Sequence, residues 1–127
     1  MILALDVMGG DKAPDINVES AILAVKQTDN NVILVGKEDV IAAQLEKWSR
    51  KYKFPKERIS VVNATEVIEM DEHPANAARH KKDSSMAVCC KLVAEGKADA
   101  FVSMGNSGAA MAVSLLYLKR IPGVQDL

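Results

Sequence analysis

Four short apolar runs punctuate the chain: ILALDV at residues 2–7, VILV at 32–35, ISVV at 59–62 and AFVSM at 100–104. Segments with helical periodicity separate them, and this alternation constrains the fold more than any other feature. Each run is strand-length and too evenly apolar for a sheet with one wet face, so the strands are expected to be covered on both sides. Parallel neighbours need a crossover of a dozen or more residues, and the intervening segments supply helices of that size. The prediction is an α/β fold, three-layer α/β/α around a mainly parallel sheet, with residues 1–127 forming a single domain portion.

The helices can be read from their apolar stripes. Val18, Ala21, Ile22 and Val25 repeat at i, i+3, i+4, i+7, with Asp15 expected as N-cap. Ile41, Leu45 and Trp48 form a narrower stripe, because Gln44 takes the i+3 position; Lys47, Arg50 and Lys51 lie near that helix's negative end. Met86, Cys89, Cys90 and Val93 mark a third helix that Gly96 can stop at C′. The fourth, beginning near Gly108, is apolar apart from Ser114 and is expected in the middle of the sandwich, its start near the sheet's centre. Residues 63–83 show no clear period, and loops of that length are usually functional or hide a short element.

Composition excludes several classes. Sixteen basic against seventeen acidic side chains leave a formal charge of −1, so no global field draws the chain to nucleic acid. The longest apolar stretch, residues 108–118, is about half of what a membrane span needs. Cys89 and Cys90 are adjacent, which suits neither a structural disulfide nor the usual metal-ligand spacing, so no metal is expected and a reducing cytoplasmic setting is. Their place in mid-helix on an apolar stripe argues against a nucleophile. The opening MILALD has no basic leader and meets an acid at Asp6, unlike a secretory signal.

Three constellations fall where strands give way to helices, the edge at which open α/β sheets bind ligands. After the first strand, Asp6 and Asp11 flank the pair Gly9 and Gly10. Paired glycines admit positive φ and close backbone approach, yet a tight turn with a capping Asp explains them equally well. No G-x-G-x-x-G is present, and the second strand ends in Gly36 and Lys37 without a ribose-binding acid, so a dinucleotide site is disfavoured. Before the third helix, Arg79, His80, Lys81 and Lys82 run into Asp83, Ser84 and Ser85. Asp83 is the expected N-cap there, and the serine amides could meet an anion; a solvated charge run is the plain alternative. After the last strand comes Gly105-Asn106-Ser107-Gly108, where exposed polar groups and a helix N-terminus favour an oxyanion or phosphate over a simple turn.

In series these stretches are more specific than any one of them. LALDVMGGDKAPD, VIEMDEHPANAARHKKDSSMAVCCKLVAEGKADAFVSMGNSGAAMA and RIPGV resemble, in order and spacing, the amino-terminal part of the PlsX-type phosphate acyltransferases. Members of that family are more than twice as long, so the resemblance identifies a fragment. It implies a fold similar to the isopropylmalate dehydrogenase and phosphotransacetylase group. It also implies a homodimer, with peripheral membrane contact as a further expectation. The reaction it implies moves a fatty acyl chain from acyl carrier protein to inorganic phosphate, forming acyl phosphate for bacterial phospholipid synthesis without a cofactor. His80 and Ser107 depart mildly from the family pattern, which usually has another basic residue and a threonine there.

On that resemblance, direct transfer is expected: phosphate is already a nucleophile, and a thiol is a tolerable leaving group. Lys81 and Lys82 with the Ser84 and Ser85 amides would hold phosphate, with Asp83, Gly9 and Gly10 shaping the site. Gly105, Asn106, Ser107 and Gly108 would stabilise phosphate or the oxyanion, and Asp6 and Asp11 would orient these donors. Acyl carrier proteins are acidic, and Lys47, Arg50, Lys51 and Lys53 are a candidate docking patch. A phosphotransacetylase-like enzyme using acyl-coenzyme A and a non-catalytic anion-binding module are the competing readings.

Overall fold

The computed structural model describes residues 1–117, so the RIPGV stretch lies outside the described residues. The elements follow the predicted alternation: β1 (Ile2–Asp6), α1 (Asp15–Gln27), β2 (Asn31–Gly36), α2 (Glu38–Ser49), β3 (Ile59–Asn63), α3 (Pro74–His80), α4 (Ser85–Ala94), β4 (Ala100–Val102) and α5 (Ser107–Tyr117). The strands form one sheet in the order β3-β2-β1-β4, and every described pairing is parallel. Leu5 lies opposite Leu34 on one side and Val102 on the other.

Successive strand residues point to opposite faces, so each strand feeds two cores. Val32 and Leu34 join Val18, Ala21, Ile22 and Val25 of α1 and Ile41 of α2. Ala4, Ile33 and Val35 meet Val88, Cys89 and Leu92 of α4 on the other side. This is the three-layer arrangement. Removing each large aliphatic side chain from water contributes roughly 1.5–3 kcal/mol, and the predicted stripe of α1 is the one buried. Among the described residues no helix is long and apolar enough to cross a membrane.

The first and last helices depart from expectation. Asp15 does not cap α1; Pro14 takes the N-cap position, and the Asp15 carboxylate accepts hydrogen bonds from Gln44 (2.6 Å) and Lys47 (3.1 Å) of α2. The polar residue that narrowed the α2 stripe is thus a tie between two helices. Helix α5 is not in the middle of the sandwich: it packs on α3 and α4 through Ala109 and Val113, while Met111 is 60% exposed. Its strand, β4, is an edge of the described sheet, so among the described residues one flank of the helix has no layer against it. Helix α3 is the short element within residues 63–83. Helix α4 ends as predicted: the Gly96 and Lys97 amides donate to the carbonyls of Val93 (3.1 Å) and Leu92 (2.9 Å), with Gly96 at φ +75°.

Candidate functional site

The chain lays down β1, β2 and β3 outward in one direction and then returns to add β4 on the other side of β1. A reversal of that kind leaves a crevice beyond the carboxyl ends of the two strands flanking it. β1 delivers Asp6 to this point, 2% exposed. One carboxylate oxygen accepts the Ser85 hydroxyl (2.5 Å) and the Met8 amide (3.1 Å), and the other accepts the Ser103 hydroxyl (2.9 Å). Ser103 Oγ in turn accepts the Gly105 amide at 3.1 Å. One buried acid therefore joins the turn after β1, the start of α4 and the turn after β4, and so touches each of the three constellations, the second through Ser85 alone.

The glycines are dictated by this closeness. A Cβ on Gly9 would stand 2.8 Å from Asp6 Oδ2 and 3.0 Å from the Gly105 nitrogen. Gly10 has φ +95°, and a Cβ there would meet the Met104 carbonyl at 2.9 Å. Asn17, buried on α1, fixes the same turn by donating its amide to the carbonyls of Val7 (2.9 Å) and Gly9 (2.8 Å). No acceptor among the described residues takes the N–H of Gly9 or Gly10. Gly9 lies against Gly105, just before α5. In the first turn of that helix Asn106 takes the amides of Ala109 and Ala110, so among the described residues only those of Ser107 and Gly108 are left without an acceptor.

The other expected site residues divide differently from the forecast. Ser84, not Asp83, caps α4, accepting the Ala87 amide at 3.0 Å. The amides of Ser84 and Ser85 are already engaged by the carbonyls of Lys81 (3.2 Å) and Glu66 (3.0 Å), so they are not anion donors here. Asp83 accepts both the amide and hydroxyl of Thr65, at 2.9 and 2.6 Å. Lys81 pairs with Glu72 and donates to the Val67 carbonyl at 2.7 Å. Asn106 accepts the Ala109 amide at 3.0 Å as the cap of α5, and its own amide group reaches the carbonyls of Glu69, Met70 and Glu72. Both residues thus hold the 67–72 segment against the core. Gly108 makes room for α3: its Cβ would lie 2.7 Å from Pro74 Cγ. Lys82 and Asp11 are exposed, and Lys82 borders a separate cavity. The side chain of Ser107 lies outside the described part.

Electrostatics separate working groups from packing groups. Thr65 holds the Asp83 carboxyl below its ordinary value, and Lys81 does the same for Glu72. Burial pushes the Cys90 thiol up to about 11 and Cys89 well above its usual range, so neither supplies thiolate near neutral pH. Among the described residues no group of three potential ligands could hold a metal ion. Ser103 and Asn17 were missed as site residues. Neither carried a local sequence signal: Ser103 meets Asp6 from another strand, and a single asparagine on a helix announces nothing.

Fold and site together define an α/β protein whose parallel sheet has its switch point at glycine turns braced by a buried carboxylate. The chain belongs to the family described as "Fatty acid synthesis protein", whose match covers residues 1–126. It is 58% identical over 124 residues to a protein of Endomicrobium trichonymphae named phosphate acyltransferase, covering 98% of this chain and 37% of that protein. It is 48% identical to the phosphate acyltransferase of Dictyoglomus thermophilum (98% and 36%) and 44% identical to that of Clostridioides difficile (98% and 35%). The chain therefore spans little more than a third of the length of these relatives.

Proposed function

We propose that the whole protein transfers a fatty acyl group from acyl carrier protein to inorganic phosphate, and that this chain contributes the phosphate-binding rim. The observation that carries the reading is the pair of unengaged amides at Gly9 and Gly10, held beside the α5 N-terminus by Asp6. Unengaged main-chain N–H groups suit an oxyanion, and the helix end adds roughly half a positive charge. The kinship with proteins named phosphate acyltransferase supplies the reaction class.

In this mechanism one phosphate oxygen attacks the thioester carbonyl carbon, forming the C–O bond, and the C–S bond breaks as the thiolate leaves. A thiol of pKa about 8.5 departs without a covalent enzyme intermediate, so buried cysteines are no handicap. The amides hold phosphate in line and meet the developing oxyanion, a contribution of about 2.7–4 kcal/mol per donor. Asp6, Ser85, Ser103 and Asn17 act as positioning residues. Lys81 and Asn106 act on the site through the 67–72 segment they hold.

The test is acyl phosphate formation by the whole enzyme from acyl carrier protein and from acyl-coenzyme A, each with and without phosphate. Phosphate-dependent product from the carrier protein is expected, with Cys89→Ala and Cys90→Ala retaining turnover. Product from acyl-coenzyme A alone, or loss of turnover in the cysteine variants, overturns the assignment.

A further inference from the structure

Outside the Asp6 cluster, a cavity of about 450 Å³ opens between the end of α3, the turn before α4 and the last described turn of α5. Ala78, Arg79, Lys82 and Tyr117 line it. Arg79 and Lys82 are exposed, and neither pairs with a carboxylate among the described residues. Lys91 of α4 adds a third cation: its Nζ donates to the Lys82 carbonyl at 2.8 Å and sits 5.4 Å from the centre of the Tyr117 ring. Lys91 forms no ion pair among the described residues, and the nearby Asp83 carboxylate is already engaged by Thr65.

The α2 patch expected from the sequence to receive an acidic partner is different. Lys47 pairs with Asp15, Arg50 with Glu46 and Lys51 with Glu19, so most of its charge is cancelled on its own surface. We propose instead that the Arg79, Lys82 and Lys91 groove docks an acidic acyl carrier protein. The proposal deepens the function given above and rests on it. Charge complementarity selects the partner: three cations from three segments gather at a cavity of about 450 Å³ that Tyr117 also lines. Its position fits delivery of a thioester, because Lys82 precedes Ser85, the Asp6 ligand, by only three residues.

The test measures binding of purified acyl carrier protein to the whole protein at low and moderate salt, without relying on turnover. Wild type should bind in a salt-sensitive way. The double variant Arg79→Glu, Lys91→Glu should bind about tenfold more weakly with a shallower salt dependence, while an Arg50→Glu control stays near wild type. Because Lys91 also anchors the Lys82 carbonyl, Arg79→Glu alone, at an exposed helix end, guards against misfolding and should show part of the loss. No binding by wild type, unchanged affinity in both Arg79 variants, or an equal loss in Arg50→Glu overturns the proposal. If the variants lose binding as expected yet the wild-type enzyme makes no acyl phosphate, the docking site stands and the catalytic reading falls.

Discussion

Asp6 holds three groups that are far apart in the chain, and removing its carboxylate strands all of them. Asp6→Ala leaves one buried hydroxyl, one part-buried hydroxyl and an amide without their acceptor, which should cost on the order of 2–4 kcal/mol in a urea melt. A variant within about half a kcal/mol of wild type would show that the carboxylate is not the brace described. Gly9→Ala pushes a methyl into the same carboxylate and the Gly105 backbone, so a loss of about 1–3 kcal/mol is expected, with turnover falling further than stability explains. The thiols give a complementary check: in the folded protein near neutral pH, Cys89 and Cys90 should resist alkylation and react only in urea. At this scale the sequence was half legible. Gly9, Gly10 and Asp6 stood out because paired glycines admit close backbone approach at the end of a strand, although a plain turn explained them equally well. Ser103 and Asn17 did not: Ser103 owes its importance to a partner on another strand and Asn17 to carbonyls of the turn before its helix, and local pattern reveals neither.

Among the elements, α4 was the most readable and the 63–83 connection the least. The α4 stripe and its Gly96 stop are local signals, whereas the cap is Ser84 and not the expected Asp83; Ser84→Ala should cost about 1 kcal/mol through the lost cap. The misplaced cap has a physical reason: Asp83 turns away to Thr65, leaving the next residue to satisfy the helix end. Helix α3 escaped the periodic reading because seven residues rich in alanine make too short a stripe. What orders the segment before it is long-range: Lys81 to Glu72, Asn106 to three carbonyls, Asp83 to Thr65. Two of those bonds titrate. Asp83 and Glu72 have folded values depressed below their ordinary 3.8 and 4.5, so their stabilisation is present above those values and is lost as pH falls through the lower folded ones. Urea midpoints should therefore drop on acidification below about pH 4, and Thr65→Val should flatten that dependence. An identical acid limb in Thr65→Val would show that Asp83 takes no part.

For the molecule as a whole, alternation of strand and helix was enough to predict a parallel layered fold, but not the strand order. Which neighbour β4 chooses depends on packing between helices, not on any residue within β4. The result places β4 at an edge, with Val102 43% and Met104 64% exposed next to the flank of α5. An unpaired edge of that kind invites association, so the 127-residue chain in isolation should sediment as concentration-dependent oligomers, and Val102→Lys should reduce them. A monodisperse monomer across the accessible concentration range would argue that the edge is harmless. The same β4 position beside β1 creates the crevice on which the functional account depends. Its most direct test is a crystal structure of the whole enzyme with inorganic phosphate. The account predicts the anion within hydrogen-bonding distance of the Gly9 and Gly10 amides and the first turn of α5; phosphate seated instead on Arg79 and Lys82, with those glycine amides left unengaged, would contradict it.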